Sequence, residues 1–317
     1  MEALRNSRRV PPCALVAALC STLACIPNAA AAQDERDGFY AGLQLGVGFP
    51  TLVQSVRSYM SHPTRCDVLL YPSSVSPPLE DPACVDNNPV VTSTRFEPGA
   101  GLAAGFMLGY AVSALRLEVE YVNASPASVV APIGETTSTA LRNKTSEWST
   151  DEPPYEWIGD YTVRQAFANV YYDFRNGSRW TPYAGAGVGW AAVDLNYYLQ
   201  LVRRPEAEYL QIDFDPDWPD AAKRAAAGTV SILDTYVSRI VFGYQALAGI
   251  DYALSEHTSL GVALRWARFD DVEHEAMHNI VRSHAPVLAD GVTPWNNELT
   301  FSGIGYQGLT FNLKYHF

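Results

Sequence analysis

One short motif in this chain could hold a catalytic metal ion. His274-Glu275-Ala276-Met277-His278 matches the H-E-x-x-H pattern of zinc proteases. That chemistry requires a helix that places both imidazoles on one face, together with a third ligand and a substrate cleft. Glu273 or His284 could be the third ligand by position. Because the motif falls in a predicted loop, we expect no catalytic zinc, and adventitious metal binding by His274 and His278 is the alternative.

Two further groups of residues could do chemistry. An acidic ladder lacks the glycine and the terminal glutamate of a calcium loop, and so predicts a solvated loop; it consists of Asp213, Asp215, Asp217 and Asp220. Ser259 and His257 are close in sequence, but a hydrolase needs nucleophile, base and acid within hydrogen-bond reach. Both lie near a predicted short turn. We therefore predict a protein that is not an enzyme and needs no cofactor, with a lipid-modifying enzyme as an alternative.

The N-terminus predicts export. Arg5, Arg8 and Arg9 precede an apolar stretch over about residues 14–26, and Ala30-Ala31-Ala32 fits a small-residue cleavage site. The prediction is a signal peptide over residues 1–32, removed to leave one domain over residues 33–317. A membrane anchor and lipid attachment at Cys25 are the alternatives.

Cysteine usage is consistent with export. Cys13, Cys20 and Cys25 would leave with the signal peptide, so that Cys66 and Cys84 remain. Two thiols in an exported chain, separated by a Pro-, Ser- and Asp-containing loop, are expected to form a disulfide bond. Such a bond would stabilise the fold by about 3 kcal/mol in the chain-entropy model. Two free thiols are the alternative.

The charge balance excludes some partners. The formal net charge is −12, whereas nucleic-acid binding needs a basic patch or stripe. The same acidity disfavours docking on an anionic membrane surface. We therefore predict no nucleic-acid partner.

The C-terminal segment has the pattern of a strand that crosses a lipid bilayer. Large apolar side chains alternate with small or polar residues over residues 305–317; they are Leu309, Phe311, Leu313, Tyr315 and Phe317. A strand needs about 10 residues to span the hydrocarbon, and its lipid face is apolar.

The same alternation recurs along the chain and predicts eight strands. They lie at about residues 38–49, 101–112, 115–123, 161–174, 181–193, 236–252, 258–268 and 305–317. Short connections alternate with long ones, and the long ones cover roughly residues 50–100, 124–160, 194–235 and 270–304. The fold class is therefore all-β, an eight-stranded antiparallel up-and-down transmembrane β-barrel with four long extracellular loops and short periplasmic turns. An uncharged run over residues 98–115 leaves a membrane helix as the rival interpretation for that segment.

Charged residues in the strands share the inner face. They are Arg116, Glu118, Glu120, Asp251, Arg265 and Lys314. Eight strands enclose a lumen that side chains just fill, so we expect Glu118 and Glu120 to pair with Arg116, Arg265 or Lys314 and to plug the barrel. A conducting pore is the alternative. Aromatic residues near the strand ends are expected to form interfacial girdles; they are Tyr40, Tyr121, Trp180, Trp190 and Trp266.

Several segments resemble the OmpA-like and opacity-protein outer-membrane barrels. They are Gly38-Phe-Tyr-Ala-Gly42, Tyr171-Tyr-Asp-Phe174, residues 181–189 (Thr-Pro-Tyr-Ala-Gly-Ala-Gly-Val-Gly) and Leu313-Lys-Tyr-His-Phe317. The resemblance covers the predicted strands and none of the loops. It implies insertion by the outer-membrane assembly machinery, with Tyr315 and Phe317 in the recognition signal. Members serve as surface antigens, adhesins, small pores or structural proteins.

These observations lead to one functional expectation. We expect an integral protein of a Gram-negative outer membrane, surrounded by outer-membrane lipid, whose loops contact surfaces or host molecules. The alternatives are a small porin-like pore and an outer-membrane lipid-modifying enzyme.

Overall fold

The computed structural model describes residues 36–51, 53–59, 90–132, 134–136, 144–213, 220–277, 279–280 and 296–317. The expected signal peptide and the Cys66–Cys84 pair lie outside the described residues. So do His278, His284, Asp215 and Asp217.

Strands make up most of the described chain. They are β1 (Gly38–Pro50), β2 (Val53–Tyr59), β3 (Val90–Phe96), β4 (Gly101–Val112), β5 (Leu115–Ser125), β6 (Val129–Pro132), β7 (Glu135–Thr136), β8 (Tyr155–Asp173), β9 (Trp180–Val202), β10 (Val230–Ala253), β11 (Thr258–Phe269), β12 (Val272–Met277), β13 (Asn279–Ile280), β14 (Asn296–Ser302) and β15 (Gly305–His316). Two short helices, α1 (Glu206–Tyr209) and α2 (Asp220–Ala226), and a 3₁₀ helix (Lys144–Glu147) lie between strands. Within these described ranges, none of the helices has the length and apolarity to span a membrane.

Eight of the strands close into a barrel. They are hydrogen-bonded in the order β11-β15-β1-β4-β5-β8-β9-β10, and β10 pairs back onto β11. First and last strands meet through the antiparallel pairing of β1 with β15, from Tyr40 opposite His316 to Pro50 opposite Tyr306. Closure leaves no open barrel edge. An open edge in hydrocarbon would leave backbone N–H and C=O groups without hydrogen-bond partners. The predicted eight-stranded antiparallel barrel is confirmed, and the rival helix over residues 98–115 is wrong, since β4 and the start of β5 occupy that segment.

The outer surface of the barrel is apolar over a band of its height. Large side chains project from every barrel strand, among them Leu43 at 67 % exposure and Ile240 at 76 %. In water such a surface would cause aggregation, whereas in hydrocarbon it is favourable. The short connections 113–114, 174–179 and 254–257 share one end of the barrel, and we refer to it as the turn end.

The barrel wall continues well beyond the apolar band at the other end. β10 has 24 residues, which corresponds to about 80 Å along the strand at about 3.3 Å per residue. A lipid-facing band is only about 25 Å tall. The predicted long loops over residues 124–160 and 194–235 are therefore wrong in part, because β8 begins at Tyr155, β9 ends at Val202 and β10 begins at Val230.

A second sheet stands opposite these extensions. Its strand order is β12-β14-β2-β3-β7, and we call it the upper sheet. It faces the upper wall, which we define as residues 155–163, 191–202 and 230–239 together with β6. Between the two lies an apolar core that includes Phe96, Leu195, Tyr197, Leu299 and Phe301. The chain segments predicted as loops thus build a packed two-walled layer on top of the barrel.

Candidate functional site

A buried ion pair crosses the middle of the lumen. Arg265 on β11 donates from Nη1 to Oε1 of Glu120 on β5 at 2.7 Å, and from Nη2 to Oε2. Both side chains are 1 % exposed. Gln44 on β1 donates to Glu120 at 2.9 Å and Gln245 on β10 donates to its other oxygen. Side chains from four strands therefore meet around one carboxylate.

A second charged layer lies nearer the turn end. Arg116 contacts Asp251 at 3.1 Å and Asp173 at 2.8 Å, and Lys314 donates to Asp251 at 2.7 Å. The Arg116 guanidinium also lies 4.5 Å from the ring centroid of Tyr183. These groups are buried, so each charge is compensated by an opposite charge or an aromatic ring.

Glu118 lies in the same part of the lumen but has different partners. Its two oxygens accept hydrogen bonds from the hydroxyls of Tyr40 at 2.8 Å and Tyr171 at 2.9 Å. The expected cation partner is therefore replaced by two phenols. Tyr40, expected in an interfacial girdle, is instead 1 % exposed in the lumen. Every second residue of β1 points into the barrel, and Tyr40 is one of them.

The six inner-face residues predicted from sequence thus all lie in the lumen, and five of them form ion pairs. Their geometry can hold strands together across the barrel. Breaking one partner of such a buried pair is costly because the other charge is left uncompensated.

A second buried carboxylate joins the two walls above the barrel. Glu156 on β8 accepts hydrogen bonds from Ser55 on β2 at 3.0 Å, Thr94 on β3 at 2.8 Å and Tyr197 on β9 at 2.6 Å. Arg57 on β2 approaches it to 3.8 Å. Burial, and then the charge of Glu156, raise the pKa of Tyr197 well above its ordinary value. The phenol therefore stays protonated and donates to Glu156 within the upper wall, while the hydrogen bonds from Ser55 and Thr94 tie the upper sheet to that wall.

The zinc-like motif is not helical. His274 and Glu275 lie in β12, where neighbouring side chains point to opposite faces. His274 Nε2 lies 2.8 Å from Thr235 Oγ1 on β10. Across the described ranges, His, Cys, Asp and Glu side chains form no group of three that could hold a metal ion.

The serine and histidine near the turn end do not form the expected pair. Ser259 Oγ lies 3.3 Å from Nε2 of His316, whereas His257 Nδ1 contacts the carbonyl oxygen of His316 at 3.1 Å. Nδ1 of His316 has no hydrogen-bond partner among the described residues. In the part of the chain that the structure describes, no acid therefore orients that imidazole as a hydrolase would require.

The outward face of the upper wall carries aromatic residues beyond the apolar band. Tyr155 and Tyr198 have ring centroids 6.0 Å apart, and Trp157 lies opposite Tyr198. Gly159 makes room for the indole, because a Cβ there would lie 2.0 Å from the Trp157 ring. Together with Val130, at 60 % exposure, these three rings form what we call the aromatic patch.

The tip of the upper wall is tied together by a polar cluster. Glu147 accepts from Arg203 at 3.1 Å and from the Tyr209 hydroxyl at 2.7 Å, and Arg203 also donates to Thr229 at 3.0 Å. Sequence reasoning missed this cluster. Its members come from two separate connections, Glu147 from the one before β8 and the other three from the one between β9 and β10, and no local pattern links them.

A closed antiparallel barrel with an apolar outside and charges paired inside is a transmembrane β-barrel. Residues 16–317 match the model of the outer membrane protein beta-barrel domain family. The chain belongs to this family, whose location is the outer membrane of Gram-negative bacteria.

Solved structures of similar fold include three outer-membrane proteins. Neisserial surface protein A (NspA) is 12 % identical over 88 % of this chain and 97 % of its own, with a TM-score of 0.38. OprG from Pseudomonas aeruginosa is 11 % identical over 89 % and 98 %, with a TM-score of 0.40. The outer membrane protease OmpT from Escherichia coli is 9 % identical over 89 % and 97 %, with a TM-score of 0.36. No curated protein matches the chain in sequence.

Proposed function

We propose that this protein is a non-enzymatic outer-membrane barrel that displays a rigid, folded contact surface outside the cell. The observation that carries the proposal is the packed layer above the barrel, in which the upper sheet and the upper wall share one apolar core. Outer-membrane barrels place their short turns in the periplasm, so this layer would face the outside. Its role would be adhesion to surfaces or host molecules, as a surface antigen.

The aromatic patch is the part of this layer best suited to contact. Aromatic side chains combine large apolar area with a polar edge and dominate interface energetics. Tyr155, Trp157 and Tyr198 are fixed on a three-stranded region of the upper wall, so binding would order few additional groups. The outward face of the upper sheet is polar by comparison, with Gln54, Arg95 and Thr300.

Adherence of intact cells tests this role. A non-adherent Gram-negative strain displaying the protein is layered on an epithelial monolayer, and bound cells are counted. Replacing Tyr155, Trp157 and Tyr198 by alanine is expected to reduce adherence to the level of cells without the protein. The matched control replaces Gln54, Arg95 and Thr300 by alanine and is expected to adhere like wild type. Equal adherence of both variants, at wild-type surface abundance, would contradict the proposal.

Three expectations from sequence belong to the same proposal. Residues 1–32 would direct export, Tyr315 and Phe317 would be read by the assembly machinery, and Cys66 and Cys84 would form a disulfide bond. Mass spectrometry of the purified protein tests the first and third. It is expected to give Gln33 as the first residue and a Cys66–Cys84 cross-linked peptide, whereas an intact N-terminus or two free thiols would contradict them.

A further inference from the structure

The aromatic patch lies in the middle of a regular grid of outward-facing side chains on the upper wall. One row across β6, β8, β9 and β10 consists of Val130, Trp157, Tyr198 and Asp234. The next row toward the tip consists of Pro132, Tyr155, Gln200 and Ile232, and the next row toward the membrane includes Gly159, Asn196 and Tyr236. Aromatic rings therefore occupy the centre of the grid, and amide and carboxylate groups border them.

The indole of Trp157 lies against the surface of its own strand. A Cβ at Gly159 would meet two carbon atoms of the indole at 2.0 Å and a third at 2.8 Å, so the six-membered ring covers the backbone of Gly159. Gly159 is buried, whereas Trp157 keeps part of its surface exposed. One face of the indole is therefore packed on the strand, and the other face is turned to solvent.

The polar groups that border the rings are fixed by hydrogen bonds. Asn196 Nδ2 donates to Oδ2 of Asp160 at 2.6 Å, and the Tyr198 hydroxyl donates to Oε1 of Gln200 at 2.8 Å. Asp160 lies in a β-bulge, where the register of β8 shifts after Gly159, and its φ of +48° is in the left-handed region. A bulge turns a side chain away from its regular direction. The bulge therefore brings the Asp160 carboxylate to the outward face, next to Asn196.

This surface lies well beyond the lipid. Trp190 on β9 belongs to the apolar band, and Tyr198 follows it by eight residues on the same face of the strand. Eight residues correspond to about 26 Å along a strand at about 3.3 Å per residue. The aromatic patch therefore stands clear of the acyl chains, on the side of the molecule that the proposed function assigns to the cell exterior.

We propose that the aromatic patch binds an uncharged oligosaccharide on the surface of a host cell. This inference rests on the proposed contact function of the same patch and names the chemical class of its ligand. A sugar ring has a flat face of C–H groups, which packs on an exposed aromatic face, and a rim of hydroxyl groups, which donate to carboxylate and amide oxygens. The Trp157 indole supplies the first kind of contact, and Asp160, Asn196 and Asp234 supply the second.

The charge of the grid selects against acidic glycans. Asp160 and Asp234 are both exposed, and residues 129–132, 155–160, 196–200 and 230–236 include no lysine or arginine. An acidic sugar would place its carboxylate against these like charges. A cationic peptide would complement the charge, but the amides of Asn196 and Gln200 favour the sugar, because an amide can both donate to and accept from hydroxyl groups.

Saturation-transfer difference NMR with purified full-length protein in lipid nanodiscs tests the site. The uncharged probes are lacto-N-neotetraose, chitotetraose, maltotetraose and mannotriose, and tetragalacturonate is the acidic counterpart. Wild-type protein is expected to transfer saturation to the C–H protons on one face of a sugar ring of at least one uncharged probe. Tetragalacturonate is expected to bind about threefold more weakly than that probe, or worse. Trp157→Ala is expected to weaken binding about tenfold, whereas Trp157→Tyr, which keeps an aromatic ring, is expected to stay within about threefold of wild type.

The matched control is Trp180→Ala, which removes an exposed tryptophan at the turn end and is expected to bind like wild type. Heat-modifiable gel migration and unchanged resistance to trypsin show that each variant keeps its barrel and the layer above it.

Three outcomes would overturn the inference. They are the absence of saturation transfer from wild-type protein to all four uncharged probes, wild-type affinity of Trp157→Ala, and tighter binding of tetragalacturonate than of every uncharged probe. Binding of tetralysine at the patch without binding of the sugars would assign it to a cationic peptide instead. Adherence that requires the aromatic patch, together with no sugar binding, would overturn this inference and leave the proposed function standing.

Discussion

At the scale of single residues, the Glu120–Arg265 pair is the interaction on which the lumen most depends. Both groups are almost completely buried, and Gln44 and Gln245 complete the hydrogen bonds of the carboxylate. Transferring such charges from water is costly, and their mutual contact together with these hydrogen bonds offsets that cost. The pair therefore couples β5 to β11 on the opposite side of the barrel.

Replacing Glu120 by Gln is expected to destabilise the barrel by about 3–5 kcal/mol, because Arg265 then remains buried without its counter-charge. Urea unfolding in lipid vesicles measures the change. The double variant Glu120→Gln/Arg265→Gln is expected to recover much of the loss, and Glu97→Gln, at an exposed position, is expected to be neutral. Equal stability of Glu120→Gln and wild type would show that the pair is not structural.

His274 gives the junction between β10 and β12 a dependence on pH. Burial, then the nearby Arg239 charge, lower the pKa of His274 below its ordinary value of 6.5, although Glu275 opposes the shift. A lowered pKa means that the neutral imidazole is favoured in the fold. The contribution of His274 to the stability of the fold is therefore fully present above pH 6.5, and it is lost as the pH falls through the lowered pKa.

Amide hydrogen exchange in β12 checks this prediction. After correction for intrinsic exchange rates, protection is expected to fall between pH 7 and pH 5 in wild type and to stay constant in His274→Gln. Constant protection in both proteins would contradict a role for His274 at this junction.

At the scale of elements, β9 and β10 reverse their apolar face where they leave the lipid. In β9 the outward residues Ala186, Val188 and Trp190 are apolar. Beyond them the apolar residues are Val193 and Leu195, which point inward. The prediction ended this strand at residue 193 because it followed only the outward face. The alternation of apolar and polar residues continues to Val202, so the reversal can be read from the sequence. The reversal marks the level at which the surroundings of the strand change from lipid to water.

This reversal predicts that a lysine substitution costs stability at one point of β10 and is nearly neutral at another. Ala246→Lys, on the lipid face, is expected to cost about 2–4 kcal/mol. Asp234→Lys, on the same outward face but beyond the band, is expected to be within about 0.5 kcal/mol of wild type. The readout is urea unfolding in vesicles. Similar costs at both positions would contradict the assigned level of the membrane.

The alternation of inward and outward side chains also explains how much of the lumen could be predicted from the sequence. An inward position for Arg116, Glu118, Glu120, Arg265 and Lys314 follows from period-two alternation alone. Which of them meet depends on strand register and on closure of β1 against β15, and neither is encoded locally. The two tyrosine partners of Glu118, and Asp173 as a partner of Arg116, could not be inferred for that reason.

At the scale of the whole molecule, three layers follow one another along the barrel axis. The turn end holds the Arg116–Asp251–Lys314 layer, the middle holds the Glu120–Arg265 pair, and the far end holds the apolar core between the upper sheet and the upper wall. Side chains from strands that are not neighbours meet in each layer. We infer that the interior supports the display of a folded outer surface and does not conduct.

Single-channel recording tests this account most directly. Purified full-length protein in planar lipid bilayers is expected to leave the current at the level of protein-free lipid. The control is a Glu120→Ala/Arg265→Ala variant that retains heat-modifiable migration. Truncating the pair is expected to open the lumen and to produce discrete current steps, which shows that the assay can detect an open barrel. Steady unitary steps from the wild-type protein would contradict the account, because ions would then pass through layers that the structure fills with paired charges and packed side chains.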